Sequence, residues 1–122
     1  MLGIHLIADL YECQTSAPCL TQADALESLC LKSIDHAGLT RLSSHFHQFQ
    51  PAGATGVVIL AESHLAIHTW PEISRVTLDL FVCNHTRDNS ERAHHVYQAL
   101  LTAFAPSDKN LTILERRRSM TS

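Results

Sequence analysis

The sequence predicts an α+β domain, an antiparallel-rich sheet of about six strands with two helices on one face. Three observations carry that expectation. Short alternating or continuous apolar runs recur along the chain, only two segments follow a helical period, and the order reads strand, helix, four strands, helix, strand. Two helices cover one face of such a sheet and leave the other bare. The bare face also carries large apolar groups, Phe49, Trp70 and Phe81. A second copy packing there face to face is therefore expected, giving a homodimeric α/β/β/α sandwich.

The first strand is read over Gly3–Tyr11, and Pro18 breaks the loop after it. Thr21 is expected to cap a helix in which Leu26, Leu29, Cys30, Ile34 and Ala37 keep the helical period and Gly38 ends it. From Leu39 to Phe49 the pattern alternates, with Leu42 and Phe46 on one face and His45, His47 and Phe49 on the other. Pro51 to Gly56 reads as a turn, and Val57–Ala61 as a short buried strand. Leu65–Trp70 alternates again until Pro71 stops it. Arg75–Cys83 is the cleanest strand: Val76, Leu78, Leu80 and Val82 line one face, and Thr77, Asp79, Phe81 and Cys83 the other. A second helix begins near Ser90 and places Ala93, Val96, Tyr97, Leu100, Leu101 and Phe104 on one stripe. Pro106 closes it, and Leu111–Glu115 supplies a last short strand.

With 122 residues the chain is expected to form one domain over 1–122. A net charge of -3, with one basic cluster at Arg116, Arg117 and Arg118, gives no reason to expect a nucleic-acid partner. No segment approaches the ~20 apolar residues that span a bilayer, so no membrane association is expected and a cytoplasmic location follows. Cys13, Cys19, Cys30 and Cys83 form no C-x-x-C pair and are expected as free thiols. His64 and His68 are four apart but lack the glutamate of H-E-x-x-H, and His45 and His47 lack a third ligand, so no metal site is expected.

The segment Glu62-Ser-His-Leu-Ala-Ile-His-Thr-Trp-Pro-Glu72 narrows the function. Flanked by Gly3-x-His5-Leu6-Ile7-Ala8-Asp9, Phe46-His47-x-Phe49-x-Pro51 and Asp79-Leu80-Phe81-x-Cys83, it resembles the self-processing site of the short prokaryotic S-adenosylmethionine decarboxylases. The resemblance implies cleavage between Glu62 and Ser63, with Ser63 becoming a pyruvoyl cofactor at the head of fragment 63–122. The chemistry requires these residue types. A serine hydroxyl attacks the preceding carbonyl and converts amide to ester, and loss of the serine α-proton then expels the upstream chain. That demands a strained turn, donors for the oxyanion and a base. By resemblance His68 is the base and the hydroxyl of Thr55 supports processing.

Elimination leaves dehydroalanine, which hydrolyses to the pyruvoyl ketone. That ketone would take the substrate amine as a Schiff base and draw electrons as the carboxylate leaves. Cys83, by resemblance, returns the proton; a thiol of reference pKa ~8.5 is suited to donating near neutrality. The resemblance also matches Phe49 to a stacking partner for adenine and Glu72 to an acceptor for the ribose hydroxyls. The implied product is decarboxylated S-adenosylmethionine for spermidine-type polyamine synthesis, made by a homodimer of cleaved protomers. Three departures stand out: Thr55 and Asn84 replace a usual serine and a frequent glycine, and residues 85–95 match poorly. An arginine or ornithine decarboxylase on the same scaffold, or a regulatory paralogue that never processes, are the alternative readings.

Overall fold

The computed structural model describes residues 2–119. Eight principal elements follow in order: β1 (Gly3–Cys13), α1 (Ala23–Ala37), β2 (Arg41–Gln48), β3 (Ala54–Leu60), β4 (Ser63–Trp70), β5 (Arg75–Cys83), α2 (Ser90–Phe104) and β6 (Pro106–Arg116). The strands form one sheet in the order β2-β3-β4-β5-β1-β6, antiparallel at every junction. The α+β architecture read from the sequence is thus the architecture observed.

Alternation decides which face is covered. Leu6, Leu10, Val58, Leu65, Ile67, Val76, Leu80 and Val82 are fully buried under the helices, whose own stripes contribute Leu26, Cys30, Ile34, Val96, Leu100 and Phe104. Burying each large aliphatic side chain contributes ~1.5–3 kcal/mol, and Leu65→Ala would cost ~2–5 kcal/mol through the cavity left behind. Among the described residues no helix lies over the opposite face. Ile7, Ile59, Phe49 and Trp70 stand there 40–47% exposed. Phe81, read from the sequence as part of that bare patch, is only half-buried among the rings of His5 and His64.

Four local expectations needed correction. Thr21 does not cap α1: Gln22 occupies that position with no side-chain cap, the Thr21 hydroxyl bonds Pro18 O, and the Ala23 N–H donates 2.6 Å to Gln48 Oε1. Leu42 does not share a face with Phe46, because the register slips between Arg41 and Ser43 and leaves Leu42 as the extra, exposed residue of a bulge. β3 starts at Ala54 rather than Val57, with Gly56 lying beneath the ring of Phe46 where any Cβ would collide. β6 starts at Pro106 and pairs with β1 along its whole length, from Cys13 opposite Pro106 to Gly3 opposite Arg116. Pro106 ends α2 as expected but also opens the strand, a position where its missing N–H is harmless. Gly38 ends α1 as expected, in the left-handed conformation at φ 85°.

Candidate active site

The β3–β4 hairpin sets the geometry. Leu60 pairs with Ser63, so Ala61 and Glu62 form the turn, and Glu62 is held at φ 58°. A left-handed glutamate costs ~1 kcal/mol or more, and strain of this kind collects where backbone chemistry occurs. The carbonyl of this strained residue is the one next to the Ser63 hydroxyl in sequence. The Cys83 N–H donates to Ser63 Oγ at 2.9 Å, and the Cys83 thiol lies 3.7 Å from Glu62 Oε2. A cavity of about 360 Å³ opens here, its walls including Glu62, Ser63, Cys83, Arg87 and Asn89.

A second cluster forms at the far end of the same hairpin. Thr55 lies directly opposite His68, with Oγ1 2.9 Å from Nδ1. A cavity of about 270 Å³ lies beside them, lined by Phe49, Pro51, Gly53, Thr55, His68, Trp70 and Glu72 among others. Its floor depends on Gly53, at φ 105°, where a Cβ would sit 3.0 Å from the Pro71 ring and 3.2 Å from Thr69 O. Gln48 ties this loop down, its amide nitrogen donating to the carbonyls of Thr21, Phe49 and Gly53. His68 and Trp70 project from the open face with ring centroids 6.4 Å apart.

The two clusters do not meet within one chain. Ser63 and His68 are five residues apart on β4, about 16 Å at the usual rise of ~3.3 Å per residue. The sequence-predicted residues therefore fall into two sets: Glu62, Ser63 and Cys83 at the turn, and Phe49, Thr55, His68 and Glu72 at the other end.

A family model described as S-adenosylmethionine decarboxylase matches residues 4–117. The chain belongs to that family. It is 38% identical over 115 residues to the S-adenosylmethionine decarboxylase proenzyme of Aquifex aeolicus, covering 94% of this chain and 81% of that protein. It is 34% identical over 116 residues to the corresponding proenzyme of Archaeoglobus fulgidus, covering 95% of this chain and 98% of that one. The crystal structure of the adenosylmethionine decarboxylase from Aquifex aeolicus superposes with a TM-score of 0.86 at 35% identity, over 99% of this chain and 95% of that chain.

Between the two clusters of this family member, three rings share one register row of the open face. His5, Phe81 and His64 are cross-strand neighbours with centroids 6.0–6.1 Å apart. His5 Nε2 is buried without a partner. Burial lowers the His5 pKa from its usual 6.5, with Asp79 opposing and His64 and Arg116 reinforcing the shift. Burial also pushes the Cys30 thiol up to about 12, with Cys19 and Glu27 nearby adding to the effect. Cys13, Cys19 and Cys30 are buried free thiols, whereas Cys83 is partly accessible. No three His, Cys, Asp or Glu side chains among the described residues are grouped to hold a metal ion. No helix there is long and apolar enough to cross a membrane. Sequence reasoning missed Gln48 and Asn89, whose contributions are side-chain bonds to backbone that leave no periodic trace, and marked Asn84 only as a departure from the family pattern.

Proposed function

We propose that the chain is a self-processing S-adenosylmethionine decarboxylase that cuts itself between Glu62 and Ser63 and acts as a homodimer of cleaved protomers. The observation that carries the reading is the left-handed Glu62 next to a Ser63 hydroxyl fixed by the Cys83 N–H. The strained peptide and the oriented hydroxyl are what amide-to-ester exchange needs. Elimination would expel Ser63 Oγ with the Glu62 carboxylate, and the Cys83 N–H and thiol stand beside both partners of the bond that breaks. The pyruvoyl group would supply an electron sink for loss of the substrate carboxylate. Around it, Cys83 is the proton donor, His68 the base for processing with Thr55 orienting it, Phe49 the adenine-stacking surface and Glu72 the ribose acceptor.

The separation of the two clusters supports the dimer. Face-to-face pairing on the open side, about a two-fold axis running across the strands, lays the Glu62–Ser63 turn of one protomer over the Phe49–Glu72 end of the partner. It also covers Ile7, Ile59, Phe49 and Trp70. An axis along the strands would superimpose like ends and leave each set incomplete. The pocket favours a nucleoside over arginine or ornithine: it offers Phe49, Trp70 and a single carboxylate, Glu72, rather than several acids around a cationic chain.

The test is intact mass of the purified protein followed by carbon dioxide release from S-adenosylmethionine, arginine and ornithine. Fragments 1–62 and 63–122, the latter with a blocked N-terminus, are expected, and Ser63→Ala should remain one chain. Wild-type protein that stays full length after long incubation at neutral pH would favour the non-processing paralogue. Preference for a free amino acid would redirect the substrate assignment.

A further inference from the structure

Cys83 is the last residue of β5, and β4 offers no further backbone beside it because Ser63 begins that strand at the turn. Two side chains finish the ladder instead. Ser63 Oγ accepts from the Cys83 N–H at 2.9 Å, and Asn89 Nδ2 donates to the Cys83 carbonyl at 2.8 Å. These bonds fix the peptide planes on both sides of one Cα, and so fix the direction in which Cβ and the thiol leave the strand.

Asn89 is placed for another role and does not perform it. It stands at the N-cap of α2, where an asparagine side chain ordinarily accepts from the N–H groups of the first turn; no such bond forms. Its amide is turned back toward Cys83. Asn84 holds it there: Asn84 Oδ1 accepts the Asn89 N–H at 2.7 Å, while Asn84 Nδ2 donates to Ser90 Oγ at 3.0 Å and Asn84 N–H to Leu2 O at 2.6 Å. Arg92 Nη1 approaches Asn89 Oδ1 at 3.4 Å from the next turn, leaving Nδ2 free for Cys83.

We propose that Asn84 and Asn89 are positioning residues that aim the Cys83 thiol and, through the Cys83 N–H, the Ser63 hydroxyl. The proposal rests on the roles given to Ser63 and Cys83 above. It makes the 84–89 segment part of the reaction machinery through Cys83.

Aspartate substitutions separate positioning from capping. Asn89→Asp keeps size, shape and a residue type suited to the N-cap position but has no amide to donate, whereas Asn84→Asp keeps the acceptor for the Asn89 N–H. Processing is followed by intact mass against time, turnover by carbon dioxide release and folding by melting temperature. Asn89→Asp is expected to melt with the wild type yet process and turn over about ten- to a hundredfold more slowly, the scale of a misplaced reacting group. Asn84→Asp should stay near wild type and Asn84→Gly should resemble Asn89→Asp. Wild-type rates in Asn89→Asp, or equal impairment of Asn84→Asp and Asn84→Gly, would overturn the proposal. Cys83→Ala run in parallel keeps the two readings apart: if it turns over normally, the thiol's role falls, while the processing rate of Asn89→Asp still decides the hold on Ser63.

Discussion

Thr55 Oγ1 and His68 Nδ1 meet at 2.9 Å across a directly paired position of β3 and β4. Whichever of the two donates, the bond sets the tilt of the imidazole, and the β-branched threonine adds a stiff χ1 to that hold. Thr55→Val keeps the shape and removes the hydroxyl, so processing should slow about tenfold, the value of one lost hydrogen bond of ~1–1.5 kcal/mol. Thr55→Ser should process at close to the wild-type rate. His68→Ala should accumulate an ester-linked precursor that hydroxylamine cleaves, visible as two bands after treatment. A Thr55→Val protein that processes normally would remove Thr55 from the machinery.

Subunit mixing tests the division of the site. Cys83→Ala and Phe49→Ala each damage every site when assembled alone. In a heterodimer with a shared site, one site inherits both lesions and the other inherits none. At substrate well below the KM, co-expression should therefore restore about a quarter of the wild-type turnover, from half the dimers carrying one intact site each. No recovery, with heterodimers shown to be present, would place all the groups in one chain.

Loss of the stacking ring should act on binding. Phe49→Ala is expected to raise the KM for S-adenosylmethionine about ten- to a hundredfold, the equivalent of ~1–3 kcal/mol of stacking, and to leave processing intact. Steady-state kinetics on fully processed protein would show this. An unchanged KM would leave Phe49 as part of the apolar face only.

His5 predicts the acid limb of stability. Its folded pKa lies below 6.5 because burial disfavours the imidazolium, so below pH 6.5 the unfolded chain takes up the proton first. The stabilisation is complete above about pH 6.5 and is lost as pH falls toward the lowered folded value. His5→Phe should flatten the fall in melting temperature between pH 6.5 and 5. An equal slope in both proteins would assign the acid lability to other groups.

Legibility in the sequence followed periodicity. β5 and both helices could be read because their buried residues alternate or recur without exception. The start of β3 was hidden by Gly56, which is there for the Phe46 ring and looks like turn chemistry. The first half of β6, Ser107 to Asn110, pairs with β1 but is polar and exposed, so it carries no alternation to read. Ser63, His68 and Cys83 stood out through a motif, yet a motif runs along the chain. That the first two occupy opposite ends of β4 depends on where the hairpin turns. The Gln48 and Asn89 bonds escape for a related reason, since each joins a side chain to a backbone carbonyl at a spacing that no periodic pattern marks.

Strand order gives the cut an unexpected outcome. Cleavage after Glu62 would assign β1, β2 and β3 to one polypeptide and β4, β5 and β6 to the other. In the sheet β1 lies between β5 and β6, while β3 borders β4. The fragments are thus interleaved, and separating them means tearing three ladders at once. A severed backbone would leave the folded molecule intact, but it would turn refolding into an encounter between two independent chains. The mature protein would then hold together by the slowness of its unfolding, with a recovery from denaturation that depends on concentration where that of its precursor does not.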